Sequence, residues 1–382
     1  MTSYVSQWFR RLPPGLVVPC LLIPLVGLCG LQRADQLYGA SRLFEKQMIW
    51  LVLSWAAMVV VTLIPYSSYR EISPWLYGVC TVLLIMVLFM PPINGSRRWI
   101  PLGLFDFQPS EPTRLGLIMA LAWYLRHRWS QTGVTGLITP FLLTVVPLFL
   151  ILKEPDLGTA TLFLPILFAI VFAAGANLKH LVCVGAAGVL MLPVVWTQMS
   201  AEQRSRVVAV FTQTDGESVP TDDGFHLHQS KQVIALGGLT GSVWHKTPIT
   251  EDSSAYLLPA ARTDFIFSLI GERYGVPGCG LLMLLYAMIV YFGLRTAERT
   301  DEPFGKLVAV GIVTMVGTQA VINMGMTVGL LPITGITLPL CSYGGSSLLS
   351  TSVAMGLLIN IAMQPQYEVA NGQAWSTPAN LR

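Results

Sequence analysis

LVAVGIVTMVGTQAVINMGMTVGLLPITGITLPLCSYGGSSLLSTSVAMGLLINIAMQPQY, residues 307–367, contains no Asp, Glu, Lys or Arg. A helix crosses the hydrocarbon core of a bilayer with about 20 consecutive apolar residues. The run is long enough for two crossings, and Pro332, Gly335, Pro339 and the pair Gly344 and Gly345 interrupt its middle. It reads as two spans joined by a structured loop.

The same pattern extends through the chain. Intervals free of Asp, Glu, Lys and Arg cover 12–32, 47–69, 72–96, 129–152, 157–178, 180–201 and 274–294, each about 21 to 25 residues. A shorter apolar piece, 115–125, follows the helix-start signal Ser110, Glu111, Pro112 and becomes long enough once Thr113 and Arg114 join it. The expectation is an all-α polytopic membrane protein of about ten transmembrane helices, folding as one membrane-embedded domain over 1–382. One long extracytoplasmic loop, 197–262, precedes the eighth span, and a polar cytoplasmic tail occupies 364–382. Of the 382 residues 53% are hydrophobic and 11% charged, against roughly 25% charged in a soluble domain, which excludes a soluble globular enzyme. A net charge of +3 without a long basic run excludes a nucleic-acid surface. Cys20, Cys29, Cys80, Cys183 and Cys279 lie in apolar stretches without a C-x-x-C pair and read as small buried hydrophobes. With the long loop set aside, about ten basic residues fall inside and about six outside when both termini are cytoplasmic, which favours that orientation.

Four clusters lie at span junctions, where irregular backbone needs protein or a water-filled cavity around it. In NGSRRWIPLGLFDFQPSEPTRL, 94–115, Arg97 and Arg98 beside Trp99 either hold a phosphate near the membrane surface or anchor the interface. Glu111 and Arg114 in the next helical turn are either functional intramembrane charges or a local i,i+3 pair. In KEPDLGT, 153–159, Asp156 caps the following helix, or else Glu154 or Asp156 faces a cavity shared with Glu111, where clustered carboxylates hold a divalent cation. In LLPAARTDFIFSLIGERYG, 257–275, Asp264 stands at a helix start on the membrane surface, as a general base or as an N-cap, a role open to Thr263 as well. In LPITGITLPLCSYGGSS, 331–347, glycines and the hydroxyls of Ser342 and Ser346 can present donors to an anion. His226 and His228, two apart, point to different sides of a helix and read as interfacial residues rather than metal ligands. No G-x-x-x-x-G-K-[ST], G-x-S-x-G or H-E-x-x-H motif is present, so nucleotide hydrolysis, serine-hydrolase chemistry and zinc proteolysis lack support.

RW at 98–99, LG at 102–103, FQPSE at 107–111, PDLGT at 155–159, TDFIF at 263–267 and SYGGSS at 342–347, in this order over about ten spans, resemble the SEDS family of shape, elongation, division and sporulation proteins. FQPSE, HQSK at 228–231 and GGLTG at 237–241 are more similar to its RodA-like branch than to the division paralogue FtsW. The resemblance implies a peptidoglycan glycosyltransferase that polymerises lipid II at the outer face of the cytoplasmic membrane, releases undecaprenyl pyrophosphate, and works with a class B penicillin-binding protein. It implies Asp264 as the base that deprotonates the acceptor hydroxyl. Arg97, Arg98, Trp99, Glu111, Arg114, Asp156, Gln229, Lys231, Ser342 and Ser346 are the implied substrate-binding residues, and Mg or Mn is the candidate cation. The alternatives are an FtsW-like division polymerase, a lipid II flippase or transporter, and a non-catalytic scaffold for a transpeptidase. The chain departs from the P-E-x-H-T-D-F pattern of the family at Ala260, Ala261 and Arg262, and has Arg114 where Lys is common.

Overall fold

The computed structural model describes residues 8, 10–39, 42–92, 96–103, 105–127, 135–212, 223–245, 258 and 260–364. In chain order its helices are α1 Pro14–Tyr38, α2 Leu43–Leu63, α3 Tyr66–Val87, α4 Ser110–Leu125, α5 Thr135–Lys153, α6 Leu157–Ala173, α7 Leu178–Gln198, α8 Ala201–Phe211, α9 Asp223–Gly237, α10 Ser242–His245, α11 Ile266–Arg299, α12 Pro303–Thr327 and α13 Gly345–Met363. A two-stranded antiparallel hairpin, β1 Ile100–Pro101 and β2 Asp106–Phe107, lies between α3 and α4.

Ten of these helices match the ten expected spans. Seven are long and apolar enough to cross a membrane, and α6 and the first part of α7 are shorter apolar helices. The remaining one, α4, has only sixteen residues, but nearly all of its surface is buried. A helix covered on every side is the centre of a bundle, and α3, α5, α6, α12 and α13 surround it. Outward faces carry apolar side chains such as Ile49, Val52 and Leu53 on α2 and Val182, Val189 and Leu190 on α7, the surface that lipid covers. Of the five cysteines expected to be buried, Cys20 and Cys80 are, Cys29 and Cys279 are half-buried, and Cys183 is exposed on α7; Cys341 is buried as well.

The eighth span, α11, begins at Ile266, at the helix start expected beside Asp264 and ahead of the charge-free interval 274–294, and Glu272 inside it meets Arg33 of α1. Arg33 Nε donates to Oε2 at 2.8 Å and Nη2 to Oε1 at 2.5 Å, with both side chains buried, so the two charges cancel inside the bundle. The loop before this span is not wholly exterior. Its helix α9 buries Leu227, Gln229, Ser230 and Val233 and lies along α11, where Ser230 Oγ donates to Thr327 O at 2.8 Å and pairs with Ser268 Oγ at 2.7 Å. The GGLTG turn then reaches Gly275, where α11 kinks (φ 62°, ψ −152°) and Val276 N donates to Leu239 O. Gly275 lies nine residues past Ile266, about 14 Å down the helix at 1.5 Å per residue, so α9 re-enters the bundle. Residues 213–222 and 246–257 of the loop, and the tail from 365, lie outside the described residues.

Removing one member of the Arg33–Glu272 pair strands a charge. Arg33→Ala is expected to destabilise the protein by about 3–5 kcal/mol, while Arg33→Met combined with Glu272→Leu recovers most of that loss. Thermal unfolding of the purified protein in detergent measures both, and a double variant as unstable as the single one contradicts the assignment.

Candidate functional site

Consecutive spans alternate in direction, so the junctions α1–α2, α3–α4, α5–α6, α7–α11 and α12–α13 all lie at one end of the bundle. The four sequence clusters therefore meet there. Arg98 lies just before β1 and Gln108 just after β2, so the hairpin brings both to this end. Arg98 Nε donates to Glu154 O at 3.0 Å, its Nη2 donates to Pro155 O, and its Nη1 lies 3.9 Å from Asp156 Oδ1. Gln108 Nε2 donates to Asp156 Oδ2 at 3.4 Å, and Gln108 N donates to Ser346 Oγ at 3.3 Å. Arg98 remains partly exposed.

Asp156 is a helix cap that also meets a charge across the junction. Its carboxylate caps α6, accepting from Thr159 N at 3.1 Å and Thr159 Oγ1 at 2.9 Å, and still faces Arg98. Asp264 is different. The N-cap of α11 is Phe265 and no side chain caps it; Thr263 Oγ1 donates instead to Ala260 O. The Asp264 carboxylate is thus not spent on capping, and a Cβ placed on Gly335 would lie 3.6 Å from its Oδ2. Burial pushes the Asp264 carboxyl up to about 6; a Thr263 hydrogen bond and the charge of Arg206 oppose the rise, Asp156 adds to it, and Arg98 opposes it. Arg98, Asp156 and Asp264 thereby form one electrostatic group.

Beneath them lies a bracing layer. Arg114 and Glu111 pair in the buried interior, and Arg114 Nη1 donates to Gln319 Oε1 at 2.7 Å. Gln319 Nε2 passes the link to Thr337 O at 2.9 Å. The pair is thus local, as one reading had it, and it also holds the 331–343 segment. Ser342 Oγ accepts from Leu338 N at 2.9 Å and donates to Thr263 O; Ser346 Oγ donates to Asp106 O at 3.2 Å. Both hydroxyls tie chain segments together. Arg97 is exposed and donates to Leu88 O at 3.0 Å, and Trp99 is half-buried beside Arg98. Gln229 is buried in α9 with Lys231 half-buried two residues on, below the Asp264 turn. At the family departures, Arg262 Nη2 donates to Asp35 Oδ1 at 3.2 Å and Gly39 O at 3.0 Å, fastening the Asp264 turn to the end of α1.

Two contributors escaped the sequence reading. Gln319 and Asn323, four apart on α12, are amides inside a charge-free run, and an uncharged amide hardly disturbs an apolar span. Their i,i+4 spacing was the available signal. Glu154 is fully buried, and neither carboxyl oxygen has a hydrogen-bond partner among the described residues. No group of three or more His, Cys, Asp or Glu among the described residues is arranged to hold a metal ion. Glu111 is engaged by Arg114, and Asp156 by Thr159, Gln108 and Arg98.

Residues 12–367 match the family of cell cycle proteins designated FTSW_RODA_SPOVE. The probable peptidoglycan glycosyltransferase FtsW of Geobacter sulfurreducens is 35% identical over 326 residues, 83% of this chain and 84% of that protein. Peptidoglycan glycosyltransferase MrdB of Escherichia coli K12 is 32% identical over 353 residues, 90% of this chain and 92% of that one. A chain from the structure of a peptidoglycan synthase complex, solved for the coordination of polymerization and crosslinking, superposes with a TM-score of 0.79 at 30% identity, covering 94% of this chain and 99% of that chain.

Glu154 offers a pH test of the junction. Burial first, then the charge of Asp156, push its carboxyl up to about 8, with Arg98 opposing. An unfolded chain loses this proton near the ordinary value of about 4.3. The folded state therefore holds more protons between these values, and stability falls as pH rises through that window. Wild type should lose thermal midpoint relative to Glu154→Gln between about pH 5 and about pH 8.5. Parallel midpoints across the range contradict a buried neutral acid.

Proposed function

The chain belongs to the FtsW, RodA and SpoVE family of cell cycle proteins and is a peptidoglycan glycosyltransferase; from that premise we propose that it polymerises lipid II at the outer face of the cytoplasmic membrane during cell elongation. Both termini are then cytoplasmic, and the junction end that carries Arg98, Asp156 and Asp264 faces outward. One observation carries the reading: Asp264 stands at the head of a membrane helix without capping it, in a partly enclosed position where burial raises its carboxyl to about 6. At neutral pH such a group is mostly ionised and is a stronger base than an ordinary aspartate.

In the proposed step the acceptor hydroxyl attacks the anomeric carbon of the lipid-linked donor. The new glycosidic bond forms as the bond to pyrophosphate breaks, the electron pair leaves with undecaprenyl pyrophosphate, and the hydroxyl proton passes to Asp264. Attack opposite the leaving group inverts an α-linked donor to a β-linked strand and needs no covalent intermediate. Arg98, partly exposed and held by two main-chain carbonyls, is placed to offset charge that develops on the pyrophosphate, with Arg97 nearby. Asp156 orients Arg98, while Glu111 and Arg114 support the wall of the site. No step is assigned to a divalent cation. A class B penicillin-binding protein is the proposed partner, crosslinking the strands made here; the synthase complex that this chain resembles supports that pairing.

A division role is the second reading, favoured by 35% identity to an FtsW against 32% to MrdB. Depletion separates them: loss of an elongation polymerase should round the cells, and loss of a division polymerase should leave filaments. For the chemistry, Asp264→Asn should abolish glycan-chain formation from lipid II by the purified protein with its transpeptidase, with fold and partner binding intact. Undiminished polymerisation would refute the base.

A further inference from the structure

The turn that carries Asp264 is held by three successive carbonyl groups, each with a donor from elsewhere in the chain. Arg262 O accepts from Tyr343 N at 3.0 Å, Thr263 O from Ser342 Oγ, and Asp264 O from Asn323 Nδ2 at 2.7 Å. Of these donors, Asn323 does something further. The same Nδ2 also donates to Ile336 O at 2.7 Å, and the neighbouring Gly335 is the residue against which Asp264 Oδ2 lies. One amide nitrogen on α12 therefore joins the main chain at Asp264 to the 331–343 segment that runs beside its carboxylate.

The orientation of that amide is forced. Both partners are carbonyl oxygens, which only accept, so the nitrogen must face them. Asn323 is fully buried, and its Oδ1 has no hydrogen-bond partner among the described residues. A buried acceptor without a partner costs free energy, which offsets what the two donated bonds contribute to folding. The turn also starts from a strained residue: Ala260 has φ 54°, the left-handed region that a residue with a Cβ disfavours, and its carbonyl collects Thr263 N, Asp264 N and Phe265 N. A turn under such strain relaxes when its outside ties are cut.

We propose that Asn323 is a positioning residue for the glycosyl transfer, setting the separation between the Asp264 carboxylate and the Gly335 main chain and so keeping water out of the gap between them. The inference rests on Asp264 being the general base. Without the clamp the carboxylate becomes hydrated, a weaker base at a less defined distance from the acceptor hydroxyl. The loss then falls on the chemical step, since neither Asn323 nitrogen bond goes to substrate.

The test uses the purified protein with its transpeptidase and lipid II, comparing wild type, Asn323→Leu, Asn323→Ser and Asp264→Asn. Asn323→Leu keeps the approximate volume and removes both donors; Asn323→Ser keeps one. The expected result for Asn323→Leu is a kcat lower by at least about tenfold with KM little changed, as a displaced catalytic group produces. The acid limb of kcat/KM should move from about 6 toward the ordinary aspartate value of about 3.9, with Asn323→Ser in between. A merely structural role would lower the active fraction and leave the limb in place. Where Asn323→Leu does not fold, Asn323→Ser carries the same comparison. An inactive Asp264→Asn beside a folded Asn323 variant with wild-type kcat and an unmoved limb overturns this inference and leaves the base standing. An active Asp264→Asn removes the base and this inference with it.

Discussion

Lipid offers no hydrogen bonds, so every polar group carried into the bundle must find its partner within the chain. The whole architecture depends on this constraint. It accounts for the Arg33–Glu272 pair between α1 and α11, and for Arg114, which pairs with Glu111 and reaches Gln319 in the buried centre. It also accounts for the irregular segment 331–343, a non-helical stretch held by Gln319, Asn323, Gln47 and Ser342. The partners that satisfy its backbone are the same groups that shape the site.

The site has two layers with different duties. The upper layer, Arg98, Asp156 and Asp264, is partly open and electrostatically joined. The lower layer, Glu111, Arg114, Gln319 and Asn323, is buried and connects α4 and α12 to the segment beside Asp264. Rigid support beneath an accessible charged surface suits a glycosyltransferase, whose chemistry needs fixed geometry.

Close main-chain approaches bring the layers together. Gly27 of α1 lies against the backbone at Cys341, and Gly158 of the PDLGT motif against Thr334 O, so neither position has room for a Cβ. Through Gly158 the α5–α6 junction touches the segment that faces Asp264. The glycine of PDLGT is therefore a packing requirement, while its aspartate serves both the helix start and Arg98.

Ten spans, their order and the grouping of motifs at one end were legible in the residues alone, because charge-free runs of about 20 residues and alternating helix direction follow from bilayer thickness and chain connectivity. The placing of Arg98, Asp156 and Asp264 at span ends was legible too, and a charge there is costly unless it finds a partner or a use. What a capping carboxylate and a free one do could not be separated by sequence: Asp156 and Asp264 both precede helices, and only the fold shows that the first caps and the second does not. The Arg33–Glu272 pair, the re-entry of α9 and the hydrogen bonds of Gln319 and Asn323 likewise depended on tertiary structure. Each is set by a partner far away in sequence, and the free energy of a buried polar group is decided by that partner rather than by its neighbours along the chain.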